Sequence, residues 1–96
     1  MSNIDFAWDE RKAAANLKKH GISFEEAQSV FYDEGARYMP DPEHSKAEDR
    51  FVLLGMSARL RVLVVCHCFR EDDSIIRIIS ARKASARERK VYTEAL

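Results

Sequence analysis

The chain has 96 residues, of which 46% are hydrophobic and 33% charged, with no net formal charge. That length suits one domain around one core, and that balance excludes a disordered chain. No apolar run reaches membrane-spanning length. The opening "MSNIDFAWDE" lacks the basic stretch and hydrophobic block of a signal peptide, so a cytoplasmic location is expected.

In chain order, "FAW" (6–8) reads as a short edge strand. Asp9 can cap the helix that follows, with Glu10 in its first turn. Ala13 and Leu17 lie four apart on one face of that helix. Lys18, Lys19 and His20 occupy its last turn, and Gly21 supplies the stop. Ser23 with Glu26 forms a capping box for a second helix that runs to about Phe31. The polar stretch 32–50 carries both prolines and reads as a loop with one short strand near 36–39. Such a long irregular stretch in a small domain is often functional.

Three strands are then expected, at 50–57, 60–69 and 74–81, joined by short antiparallel hairpins. The middle one is apolar on both faces, as suits a sheet centre. Ser85 and Glu88 make a second capping box that opens a C-terminal helix. The expected fold is therefore α+β: a small antiparallel sheet of three to four strands, two N-terminal helices and one C-terminal helix, in a single domain over 1–96.

Cys66 and Cys68 flank His67. In a strand the two thiols share a side and the imidazole points away, so two buried core thiols are expected rather than a disulfide or a small metal centre.

The zero net charge conceals an asymmetry. Residues 1–50 hold 7 Lys/Arg and 11 Asp/Glu, whereas residues 74–96 hold 6 and 2. A basic end suits a polyanion such as nucleic acid. The acidic front either neutralises it in part or serves a basic partner. Within the basic end, Arg77 sits between isoleucines. A guanidinium there must meet a carboxylate such as Glu48 or Asp49, reach solvent in a cleft, or await an anion. Arg82 and Lys83 leave the strand just before a helix N-terminus, where cations are unfavourable until an anion arrives, unless both extend into water. Arg87, Arg89 and Lys90 point from different sides of the helix and read as solvated surface. His20 either caps carbonyls at its helix end or moves a proton.

Three blocks, "FAWDERKAAANLKKHGISFEEA" (6–27), "EDRFVLLG" (48–55) and "IRIISARKASARERKVY" (76–92), together resemble the BrnT family, the toxin half of a bacterial type II toxin–antitoxin pair. The matching residues are Phe6, Trp8, Asp9, Lys12, Asn16, Lys19, His20 and Gly21, then Glu48, Arg50 and Gly55. The third block contributes Arg77, Ser80, Ala81, Arg82, Lys83, Ala84, Glu88 and Tyr92. Ala47 departs from the pattern, which has glycine there.

The resemblance implies a RelE-like endoribonuclease that arrests growth and uses no metal or organic cofactor. It also implies a BrnA-like antitoxin with a ribbon-helix-helix DNA-binding part, which would carry the pair to its promoter DNA in a hetero-oligomer. On that reading Arg77, Arg82 and Arg50 stabilise the scissile phosphate and Glu48 is the general base. His20 or Lys19 carries protons, and Lys19 and Lys83 hold RNA backbone. The rival reading is a non-catalytic module that binds a partner or nucleic acid.

Overall fold

A computed structural model describes residues 4–40 and 50–94. Five strands form one sheet in the order β1-β5-β4-β3-β2. They are β1 (Asp5–Ala7), β2 (Arg37–Met39), β3 (Arg50–Met56), β4 (Val62–Arg70) and β5 (Ile75–Lys83). The helices are α1 (Glu10–His20), α2 (Phe24–Ser29) and α3 (Ala86–Glu94). The class is α+β as expected, with two differences. The sheet has five strands rather than three or four, and β1 pairs parallel to β5, so the sheet is only mostly antiparallel.

The caps behave as their residue types dictate. Asp9 accepts from the backbone N–H of Arg11 and Lys12, and Gly21 closes α1 in the left-handed region at φ 71. Ser23 Oγ accepts from Glu26 N. Glu26 does not reach back to complete the box. Its carboxylate accepts from Ser57 Oγ at 2.7 Å and Arg61 Nε at 2.9 Å, pinning α2 to the β3–β4 turn. Burial opposes its ionisation, but the hydrogen bonds from Arg61 and Ser57 prevail and hold the carboxyl below its usual range. The helix gives way after Ser29 to a 3-10 turn over Val30–Tyr32.

On α1 Ala13 packs against the core, but Leu17 is 52% exposed and Asn16 is the buried residue. Asn16 Nδ2 donates to Ile22 O and Ala81 O, and its Oδ1 accepts from Ala81 N. Beyond the three residues that pair with β1, the outer edge of β5 is open, and the Asn16 amide satisfies its backbone there.

The two sheet faces carry separate cores. One holds Ile22, Phe24, Ala27, Val30, Leu53, Leu63, Val65, Ile78 and Ala81, beneath α1 and α2. The other holds Val52, Leu54, Val64, Ala84 and Tyr92, beneath α3. Gly55 lies where the first layer presses closest. A Cβ there would meet Ala36 Cβ and Val30 Cγ1 at 2.8 Å, so only glycine fits without displacement.

Candidate active site

Strand register decides which arginines share a face. Arg50 pairs with Cys68, and Cys68 pairs with Arg77. Partners across a sheet project to the same side, so Arg50, Cys68 and Arg77 form one row on the α3 face. With strands about 4.8 Å apart, the outer Cα atoms stand about 10 Å from one another. Next along the strands comes the row Val52–Cys66–Ser80, and then Leu54–Val64–Arg82. The side chains of α3 pack on that last row and leave the arginine row to one side.

Simple alternation would send Arg77 and Arg82, five residues apart, to opposite faces. The ladder instead shifts at Cys66/His67: Cys66 pairs with Ser80 and His67 with Ile78, leaving Ile79 as the extra residue. The bulge returns Ser80 and Arg82 to the face of Arg77. An unbroken strand would also set Arg77 and Ser80 on opposite faces; the single inserted residue brings them to one.

Arg77 is half-buried and, among the described residues, its guanidinium has no ion-pair or hydrogen-bond partner. Glu48 and Asp49, its expected counter-ions, lie outside the described residues, as does Ala47. Arg82 is different. Its Nη1 and Nη2 donate to Glu88 Oε1 and Oε2 at 2.8 and 2.9 Å. Glu88 also completes the α3 capping box, accepting from Ser85 N at 2.8 Å while its own N–H reaches Ser85 Oγ. The hydrogen bonds from Arg82 draw the Glu88 carboxyl down to about 2. The anion expected at this strand–helix junction is thus supplied by the chain itself.

The other candidates lie elsewhere. Arg61 reaches Gly21 O at 3.4 Å and Lys83 pairs with Leu63, so the helix end that follows Lys19 and His20 and the strand end at Lys83 both lie where β4 begins. Counted along β4 from Cys68 to Val62, that end is about 20 Å from the arginine row. The end of α1 that carries His20 is therefore set apart from Arg77 along the sheet. Sequence reasoning missed Cys68 and Ser80 as the floor beside Arg77, because their placement depends on register.

His67 takes the opposite face from its cysteine neighbours, as alternation requires. It is fully buried among Phe31, Tyr38, Phe51 and Phe69. Burial pushes the imidazole down to about 4. Among the described residues no group of His, Cys, Asp and Glu is arranged to hold a metal ion.

Behind α3, Asp33 Oδ2 accepts from Met56 N at 2.8 Å and from Tyr92 Oη at 2.7 Å. Burial raises the Tyr92 hydroxyl, and with Asp33 brings it to about 12. For Asp33 the donated hydrogen bonds outweigh burial and lower its carboxyl. This contact fastens the C-terminal helix to the turn after α2.

A family model described as the ribonuclease toxin BrnT of type II toxin–antitoxin systems matches residues 8–88. The crystal structure of the Brucella abortus ribonuclease toxin BrnT superposes with a TM-score of 0.64 at 28% identity, covering 88% of this chain and 99% of that one. Among curated proteins, none matches the chain. The chain belongs to the BrnT family of ribonuclease toxins of type II toxin–antitoxin systems.

Proposed function

We propose that this chain cuts RNA by attack of a ribose 2′-oxygen on the adjacent phosphate, which Arg77 and Arg50 hold. The single observation that carries this reading is the half-buried Arg77 guanidinium, which has no counter-charge among the described residues and lies one strand from Cys68 and two from Arg50. In the step, the 2′-O–P bond forms and the P–O5′ bond breaks. The products are a 2′,3′-cyclic phosphate and a 5′-hydroxyl end. Glu48, just ahead of Arg50 in the chain, is assigned as the base that removes the 2′-OH proton. The charge gathering on the phosphorane oxygens is met by the planar guanidinium forks, which suit paired oxygens better than an ammonium does.

His20 and Lys19 precede Gly21, which meets Arg61 beyond the start of β4, and are not assigned to proton transfer at this row. The leaving 5′-oxygen takes its proton from solvent, and positioning with positive charge supplies most of the rate. Lys19 and Lys83 hold RNA backbone running toward the far end of the sheet. Arg82, engaged by Glu88, seats α3 beside the site and reaches phosphate only when Glu88 gives way. A BrnA-like antitoxin with a ribbon-helix-helix part silences the enzyme and carries the complex to promoter DNA. A dimeric partner of that kind fits an assembly with two copies of each chain.

The test is chemical. An RNA oligonucleotide and its counterpart with one 2′-deoxy sugar at the cleaved position are incubated with the purified chain, and product ends are mapped. Cyclic phosphate ends from the first and no cleavage at that position of the second are expected. Equal cleavage of both removes the 2′-oxygen from the mechanism.

A further inference from the structure

The helix face of the sheet carries a second surface that RNA cleavage does not use. Its rings touch in sequence. Phe6 lies 6.2 Å from Tyr32 and 5.3 Å from Phe31, and Phe31 lies 4.7 Å from His67. His67 is 5.4 Å from Phe69, Phe69 is 5.2 Å from Phe51, and Phe51 is 6.1 Å from Tyr38. Tyr32 is 71% exposed, Tyr38 58% and Phe51 40%, so this is an open surface rather than a core. Neighbouring exposed large rings of this kind mark an interaction site more often than random surface.

Two further observations specify what fits it. The first is charge. Exposed carboxylates lie near the rings: Glu34 beyond Tyr32, and Glu71, Asp72 and Asp73 in the turn that follows β4. An RNA strand is repelled by those charges, whereas a basic polypeptide is drawn to them. The second is the rings themselves. The exposed faces of Tyr38 and Phe51, which pack over the buried His67, attract a lysine or arginine side chain.

We propose that the aromatic surface of Phe6, Tyr32, Tyr38, Phe51 and Phe69 docks a basic, amphipathic segment of the antitoxin. This rests on the family assignment, since a type II toxin implies an antitoxin partner. Apolar side chains of the segment cover the rings, and its lysines or arginines meet the Glu34 and 71–73 carboxylates and the open faces of Tyr38 and Phe51. The antitoxin thereby holds the face opposite the Arg50–Arg77 row. Its grip on the toxin and its blockade of RNA are then carried by different residues.

The experiment measures two quantities on the same purified variants: affinity for the antitoxin encoded beside this chain, by calorimetry, and RNA cleavage by the free protein. Tyr38→Ala and Phe51→Ala are each expected to weaken antitoxin binding at least tenfold with RNA cleavage unchanged. Asp72→Asn with Asp73→Asn keeps residues that tolerate the left-handed backbone at φ 53 and 68 while removing two charges. That double variant should bind several-fold more weakly at low salt and lose less at high salt. Wild-type antitoxin affinity in both alanine variants overturns the proposal. Lost RNA cleavage with retained antitoxin binding also overturns it and makes the rings a base-stacking platform. Should the wild-type chain bind antitoxin through these residues yet cleave no RNA, the catalytic reading fails and the docking surface stands.

Discussion

Arg50 and Arg77 stand in one cross-strand row with Cys68 between them, on the same face of the sheet. Arg77 is half-buried with no counter-charge among the described residues, which costs folding free energy. An anion beside it reverses the sign. Arg77→Gln is therefore expected to leave unfolding free energy within about 0.5 kcal/mol of wild type or raise it, as at sites where function opposes stability. Adding a short RNA should raise the melting temperature of the wild type and not that of Arg77→Gln. Chemical denaturation and thermal melts read both effects.

Glu88→Gln tests whether the Arg82 fork is held in reserve. The neutral amide still accepts from Ser85 N but loses its ionic pairing. Arg82 is about half exposed, so stability should fall by no more than about 1 kcal/mol. RNA affinity should rise, and its salt dependence should steepen by roughly one phosphate contact. Unchanged affinity and slope would show that Arg82 stays off the RNA.

Tyr92→Phe removes the donor to Asp33 Oδ2, which retains its bond from Met56 N. A loss of about 1 kcal/mol is expected. Gly55→Ala forces a methyl to within 2.8 Å of Val30 Cγ1 and Ala36 Cβ, and overpacking there should cost about 1–3 kcal/mol. Denaturant midpoints check both.

Acid sensitivity has two separate windows. His67 titrates near 4 when folded against 6.5 when free, so between those values the unfolded chain binds a proton that the folded chain refuses. Its contribution is complete above pH 6.5 and drains as pH falls to 4, by about 3 kcal/mol in all. Glu88, lowered from 4.5 to about 2, adds a loss that begins only below 4.5. His67→Leu should flatten the stability profile between pH 6.5 and 4 and leave the steeper fall below 4.5 in place.

Signals confined to neighbouring residues were legible in the sequence. Asp9, Gly21, Ser23, Ser85 and Glu88 announced their helix ends because a cap needs one side chain and a backbone a few residues away. The alternation of Cys66, His67 and Cys68 also held, for the same reason. What depended on distant partners was hidden. The parallel pairing of β1 is set by its docking beside β5, and no local pattern encodes it. Asn16 reads as an ordinary polar helix residue until Ala81, 65 positions on, is seen to need its amide. The bulge at Ile79 looks like unbroken strand, yet it alone puts Arg77 and Arg82 on one face. For the site, the residue types were readable and their grouping was not. The 19–21 corner matched the family beside the arginines, but strand length carries it to the far end of the sheet.

The most direct test of the account is the rate at which purified wild type and Arg77→Ala cleave the same RNA, with folding of both verified by thermal melts. Loss of a principal oxyanion-stabilising group predicts a rate lowered by about 10²–10³, only partly restored in Arg77→Lys. A folded Arg77→Ala protein that cleaves at the wild-type rate would contradict the proposed phosphate site.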